Sequence, residues 1–334
     1  MSVSALKKIN KRNMMKVAFI ADDIKNLNEF GLFHNATFGL MHACKKLKNI
    51  KIFLTQSNKL MVQNGKVYAC FEEVIPLPGK DIKRHLKIIS KDFLPLDYFD
   101  VLFSRIDPPV NQDYLSYLQI LTLQLQKKKP FIVNNPYGIL KANEKLYALN
   151  FPDIIPPTLV TSNKSEITNF ISKHKEVVIK PLFNKGGEGV FYLKNKEQRT
   201  LKIVNHSLRK NHIVLLQKYI SSVKLGDKRI ILLNGKPLGG IIRIPKKGEF
   251  LAHISRGARY KKLKLSKGDL AICQQLKPYL QKDGIYFAGI DLIGKYLIEV
   301  NVTCPANLIE AGERNKRPMA EEIVKWAISK CDAR

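Results

Sequence analysis

The chain has 334 residues, 45% of them apolar, so at roughly 100–200 residues per domain it builds two or three domains and is too apolar for wholesale disorder. Its 57 basic and 28 acidic residues differ by +29. Only twelve of the 57 are arginine, and the lysines are scattered apart from short runs such as Lys127–Lys129, so the charge suits small anionic substrates better than nucleic acid as main ligand.

Residues 1–15 are basic and polar without the apolar stretch of a secretory signal, and are read as a flexible tail. Lys16–Ala21 is an apolar run ending at Asp22-Asp23, the pattern of a buried first strand. An amphipathic helix is predicted over Asn35–Leu47 and a strand over Ile50–Leu54. Asn64-Gly65 is a hairpin signal between Leu60–Val62 and Lys66–Tyr68. A strand over Asp100–Ser104, a helix over Tyr114–Gln126 and a strand over Phe131–Val133 complete an open α/β domain at 16–135. Asn143-Glu144-Lys145 is expected to open the next helix, and the prolines in Phe151–Pro157 mark a break. Strands follow at Thr158–Val160 and Val177–Lys180, with the helix Lys164–His174 between them. After Gly186-Gly187-Glu188-Gly189 come a strand at Val190–Leu193, a basic helix and a strand at Val214–Ile220. Hairpin strands Arg229–Leu233 and Pro237–Arg243 flank Asn234-Gly235. Ile285–Ile293 and Tyr296–Val302 are the last strands, and Met319–Lys330 is a C-terminal helix.

Five cysteines, an odd count with no C-x-x-C pair, argue against a disulfide framework and a structural zinc site, and fit a reducing cytosol. No H-x-x-x-H pair occurs, and no apolar run approaches the ~18 residues of a membrane span.

Three groups could carry chemistry. Glu299 and Asn301 lie two apart in a strand and share a face, with Asp291 on the preceding strand. A tight turn at Gly294-Lys295 sets Asp291 opposite Ile298, so a three-residue connection is expected, pairing 291 with 299. Two carboxylates and an amide oxygen suit Mg²⁺, the other reading being a polar outer hairpin face. Lys180 to Gly189 could cradle phosphate with backbone N–H groups and the lysine, or be a flexible hairpin tip; it is not a Walker A loop. Arg105, Arg229, Arg243 and Arg259 end turns or strands and could grip carboxylates or phosphates, or be solvated strand edges.

Taken in order, Arg105–Pro109, Asn143–Tyr147, Lys180-Pro181 with Gly186-Gly187, Tyr219-Ile220, Gly226–Arg229, Arg243–Pro245, Gly289–Gly294 and Glu299–Thr303 resemble the bacterial glutathione synthetases of the ATP-grasp superfamily, from about Lys16 to Ala327. The resemblance implies an α/β and α+β chain: an N-terminal open α/β (pre-ATP-grasp) domain, then a two-subdomain ATP-grasp domain at 136–330, with a lid subdomain at about 158–215 and a C-terminal subdomain at about 216–330. It implies an ATP-dependent ligase joining γ-glutamylcysteine to glycine through an acyl phosphate, cytoplasmic and dimeric or tetrameric. Lys145, Lys180, Gly186 and Gly187 would hold ATP phosphates. Gln217, Tyr219 and Ile220 would sit at the adenine, with Asp227 near the nucleoside. Asp291, Glu299 and Asn301 would bind Mg²⁺ or Mn²⁺. Arg229 and Arg243 would face the reacting groups, and Arg105 would close the substrate side. The family's usual Asp-Gly-Met before the glycine pair is here Phe183-Asn184-Lys185. Its glycine-rich lid loop is Ala252–Arg259, and Cys304-Pro305-Ala306 stands where Ser-Pro-Thr is usual. These departures keep two alternatives in view: another acid or amine, and a non-catalytic ATP- or nucleic-acid-binding protein.

Overall fold

The computed structural model describes residues 14–22, 35–77, 85–249, 251–252 and 257–331. Most of the expected tail and the centre of the expected lid loop, residues 253–256, lie outside them. The chain packs as two units, one of residues 1–107, 116–137 and 306–334, the other of 108–115 and 138–305.

The first unit contains β1 (Met15–Ala21), α1 (Ala36–Lys46), β2 (Ile50–Thr55), β3 (Leu60–Gln63), β4 (Lys66–Pro76), β5 (Leu86–Pro95) and β6 (Val101–Arg105). Next along the chain are α2 (Gln112–Thr122), β7 (Phe131–Val133) and α3 (Pro136–Lys141). Strands β2, β1, β6 and β7 run parallel in that order, and antiparallel β4 extends the sheet beside β2. Val17–Ala21 is fully buried, as a central parallel strand requires, and Phe19 stacks on Phe103. Asn35 caps α1, its side chain accepting from Phe38 N (2.9 Å).

The second unit holds two sheets. Strands β8 (Thr158–Thr161), β9 (Glu176–Pro181), β10 (Phe191–Lys194) and β11 (Val214–Lys218) form an antiparallel sheet in the order β10-β9-β11-β8. Helices α4 (Lys164–His174) and α5 (Gln198–Asn211) close its core through Ile167, Ile171 and Val204. The second sheet is built from β12 (Asp227–Leu233), β13 (Lys236–Ile244), β14 (Arg259–Lys262), β15 (Phe287–Ile293) and β16 (Tyr296–Asn301), in the order β14-β13-β12-β15-β16. Its apolar face, with Ile230, Leu232, Ile290, Leu292, Leu297 and Val300, packs with Ile272, Cys273, Leu276 and Leu280 of α6 (Lys267–Lys282).

The chain then forms α7 (Leu308–Asn315) and α8 (Met319–Ser329), which pack in the first unit against α1. Gly39 permits this approach, because a Cβ there would stand 2.0 Å from Ile309 Cδ1. Residues 306–330, expected in the C-terminal subdomain, are thus divided differently by packing.

Strands β5 and β14 and helices α3, α6 and α7 were not expected from the sequence. Asn143 opens no α-helix. Its Oδ1 accepts from Lys145 N (3.1 Å) and Leu146 N (3.0 Å), shaping a turn that runs into a 3-10 helix at Tyr147–Asn150.

Candidate active site

Alternation along β12, β13, β15 and β16 sends one set of side chains into the core and the other onto the opposite face of the same sheet. Arg229 lies opposite Asp291, Asp291 opposite Glu299, and Gly289 opposite Asn301. Asp227 lies opposite Arg243 on the neighbouring pair. Six of the expected side chains therefore share one face.

The pairing of 291 with 299 is as expected, but its cause is not. The connection at Gly294-Lys295 is tight, since Ile293 pairs with Tyr296 and Leu292 with Leu297. A bulge then shifts the register, Ile298 being the extra residue, and Asp291 meets Glu299. The bulge also explains how Leu297 and Val300, three apart, both reach the core.

The polar face is heavily charged and largely withdrawn from water: Arg229 is 5% exposed, Arg243 9%, Asp291 7% and Lys145 7%. Asp291 accepts a fork from Arg229, Nε to Oδ1 at 2.5 Å and Nη2 to Oδ2 at 2.8 Å, and lies 3.1 Å from Arg243 Nη2. Arg243 also forks onto Asp227 at 2.7 Å through both nitrogens. Burial alone would raise the Asp291 pKa, but the two guanidinium charges outweigh it and hold the carboxyl well below the usual carboxylate range. Gly289 leaves room for the Arg229 side chain, since a Cβ there would stand 3.2 Å from its Cδ.

Both expected phosphate lysines point toward this cluster. Lys145 Nζ donates to the Asn184 carbonyl (2.8 Å) and lies 3.7 Å from Glu299 Oε1. Lys180, on β9, donates to Gln217 Oε1 on β11 (2.9 Å). Burial pushes Lys180 down to about 8, with Lys145 adding to the shift and Glu299 and Asp291 opposing it. Gly186, Gly187 and Gly189 all have positive φ, and Glu188 N and Val190 N close tight turns onto Lys185 O and Gly187 O. Tyr219 N donates to Glu176 O (2.9 Å), its ring packs on Tyr192, and Ile220 leads into the connection between the two sheets.

Glu144 is a site residue to which the sequence reading assigned no role. Its Oε1 accepts from Val302 N (2.9 Å), Thr303 N (3.1 Å) and Thr303 Oγ1 (2.8 Å), fastening the end of the strand that carries Glu299 and Asn301. Burial, then the Glu299 charge, raise its pKa. The charged residue beside Lys145 was the available signal, but its partners lie about 160 residues away. Arg105 belongs to the first unit, where it is buried and donates from Nε to Thr37 Oγ1 (3.2 Å); its expected role rests on the resemblance alone.

A divalent cation suits this donor set in part. Glu299 and Asn301 supply hard oxygens, and Asn301 turns its Nδ2 toward Asp291 Oδ2 (3.4 Å), whereas both oxygens of Asp291 are engaged by arginine. Among the described residues no group of three or more His, Cys, Asp or Glu is placed to hold a metal ion.

The family model for the N-terminal domain of prokaryotic glutathione synthetase matches residues 15–139, and that for its ATP-grasp domain matches 144–316. The chain belongs to the prokaryotic glutathione synthetase family. Glutathione synthetase of Thermosynechococcus vestitus is 35% identical over 323 residues, covering 94% of this chain and 100% of the relative. That of Nostoc sp. is 36% identical over 320 residues, covering 93% and 97%. Among solved structures, the D-cycloserine synthetase DcsG superposes with a TM-score of 0.65 at 12% identity, covering 93% of this chain and 99% of that one, which shows the shared ATP-grasp fold. As a member of the glutathione synthetase family the chain is an ATP-dependent carboxylate–amine ligase, and its charged cluster lies within the part matched by the ATP-grasp model.

Proposed function

We propose that the chain makes glutathione from γ-glutamylcysteine and glycine, spending one ATP. The observation that carries this reading is the end-to-end match to relatives named glutathione synthetase.

A carboxylate resists attack by an amine because its leaving group would be oxide. The cysteinyl carboxylate of γ-glutamylcysteine therefore attacks the γ-phosphorus of ATP, and the bond to the bridging oxygen breaks to release ADP. The glycine amine, having lost a proton, attacks the acyl phosphate carbon, and inorganic phosphate leaves as the amide forms. Both steps develop negative charge on phosphoryl and carboxyl oxygens, and fixed cations stabilise it.

Lys145 and Lys180 hold the phosphates, with the backbone of Gly186 and Gly187 over them. Gln217, Tyr219 and Ile220 border the adenine, and Asp227 approaches the nucleoside. Arg229 and Arg243 face the reacting oxygens, and Asp291 holds both guanidinium groups in place before substrate arrives. Glu299 and Asn301, with Asp291 beside them, would hold a divalent metal, Mg²⁺ or Mn²⁺, which supplies charge neutralisation between the phosphates when bound. All five cysteines are free, in keeping with a reducing cytoplasm, and the resemblance extends to a homo-oligomer.

The test is ADP and phosphate release from ATP with γ-glutamylcysteine, glycine and Mg²⁺, each omitted in turn. Release that needs all four supports the reading. Turnover that persists without glycine, or that prefers another amine, replaces it with a ligase of different product. ATP binding without turnover on any acid and amine would favour a binding protein.

A further inference from the structure

Lys180, on β9, ends a short relay whose middle is Gln217 on β11. Lys180 Nζ donates to Gln217 Oε1 (2.9 Å), Gln217 Nε2 donates to Thr158 Oγ1 (3.1 Å), and Thr158 Oγ1 donates to the Pro156 carbonyl (2.7 Å). Gln217 lies opposite Thr158 on β8, and Lys180 is paired with Leu215, two residues before Gln217 on β11, so all three side chains emerge on one face of the sheet.

The direction of the relay is fixed from its far end. A hydroxyl has one proton, and that of Thr158 is committed to Pro156 O, a carbonyl between two prolines whose φ angles are locked by their rings. Thr158 can therefore only accept from Gln217. The amide must turn its Nε2 toward Thr158 and its Oε1 toward Lys180. Flipping it would aim an N–H₂ donor at an ammonium and a carbonyl at an oxygen with no proton left to give. Gln217 is 5% exposed, so water cannot replace either partner cheaply.

We propose that Thr158 is a positioning residue for nucleotide binding: by orienting Gln217 it fixes the Lys180 ammonium where it meets the ATP phosphates. The inference rests on Lys180 contacting those phosphates, as read above. Thr158 itself touches no substrate.

The experiment measures kcat and KM for ATP in T158V, T158S, Q217M and K180M. T158V keeps the shape and β-branching of threonine but removes the acceptor. It is expected to raise KM for ATP by roughly three- to ten-fold with kcat within about twofold, because the contact is lost from ground and transition states alike. T158S restores the hydroxyl and should return KM to within about twofold of the parent. Q217M removes the central amide of the relay together with a group bordering the adenine, and should raise KM for ATP at least as far as T158V does. A purely structural Thr158 would lower the denaturation midpoint and leave KM for ATP unmoved, and that result overturns the proposal, as does T158S behaving like T158V. A K180M enzyme with parental KM for ATP would bring down the reading of Lys180 itself, and the relay with it.

Discussion

Removing the carboxylate of Asp291 would leave two buried guanidinium groups without their shared anion, and D291N should lose about 3–5 kcal/mol of stability, read from chemical denaturation midpoints, in addition to activity. The same pair sets an acid limit. The Asp291 pKa is depressed in the folded chain, so its contribution is complete above the unfolded value of about 4 and is lost as pH falls below it toward the folded value. Lys180 acts on activity and on stability in opposite directions. Burial, its main cause, lowers it to about 8, so kcat/KM for ATP should decline as pH rises through about 8 and the cation disappears. Over the interval from about 8 to the unfolded value near 10.4, the unfolded chain binds the extra proton, and Lys180 should then favour folding increasingly as pH rises. An initial-rate pH profile and a stability profile of the same protein check both signs, with K180M as the variant in which the two trends vanish.

At the scale of elements, the bulge in β16 makes an unusual demand. Ile298 is the extra residue, so deleting it should keep Asp291 opposite Glu299, Ile290 opposite Val300 and Gly289 opposite Asn301. Deleting Val300 instead forces either Glu299 or Asn301 to face Ile290 in the core, whichever way the bulge responds. The first deletion should retain ADP release, and the second should yield protein that fails to fold or to turn over. This bulge also marks what was legible beforehand. That Asp291 and Glu299 must meet followed from strand alternation and the identity of the side chains. The device did not, because a longer connection and an extra strand residue satisfy the same count. The first parallel strand was legible as an apolar run, and Lys164–His174 as the helix between two strands; the structure adds the Asn163 cap at its start. The elements that escaped carry weak or conflicting patterns. Strand β5 is an edge with Lys87, Lys91 and Asp92 exposed and no clear alternation. Helix α6 holds Pro278 in its interior, although Ser266 and Asp269 form a capping box at its start (2.9 and 3.1 Å). Glu144 and Thr158 were silent because their partners are set by tertiary packing, not by spacing.

For the whole molecule the excess of 29 positive charges over 334 residues is a source of self-repulsion that salt relieves. The unfolding midpoint should rise by roughly 2–5 °C between 10 and 200 mM sodium chloride, a change read by thermal denaturation and absent if the charges are already compensated in pairs. Within that surplus the charged cluster of the second unit is an exception. Lys145 lies beside Glu299, Arg243 between Asp227 and Asp291, and Arg229 on Asp291. If these cations receive the phosphates as proposed, the cluster is an ion exchanger already loaded with its own anions. An incoming polyphosphate gains only the difference between its grip on these cations and the grip of the resident carboxylates. The same carboxylates stand ready to reclaim the cations when ADP and phosphate depart, so the pairing that weakens capture also shortens product residence. Weakening it at Asp227 should tighten ADP more than it speeds the chemical steps.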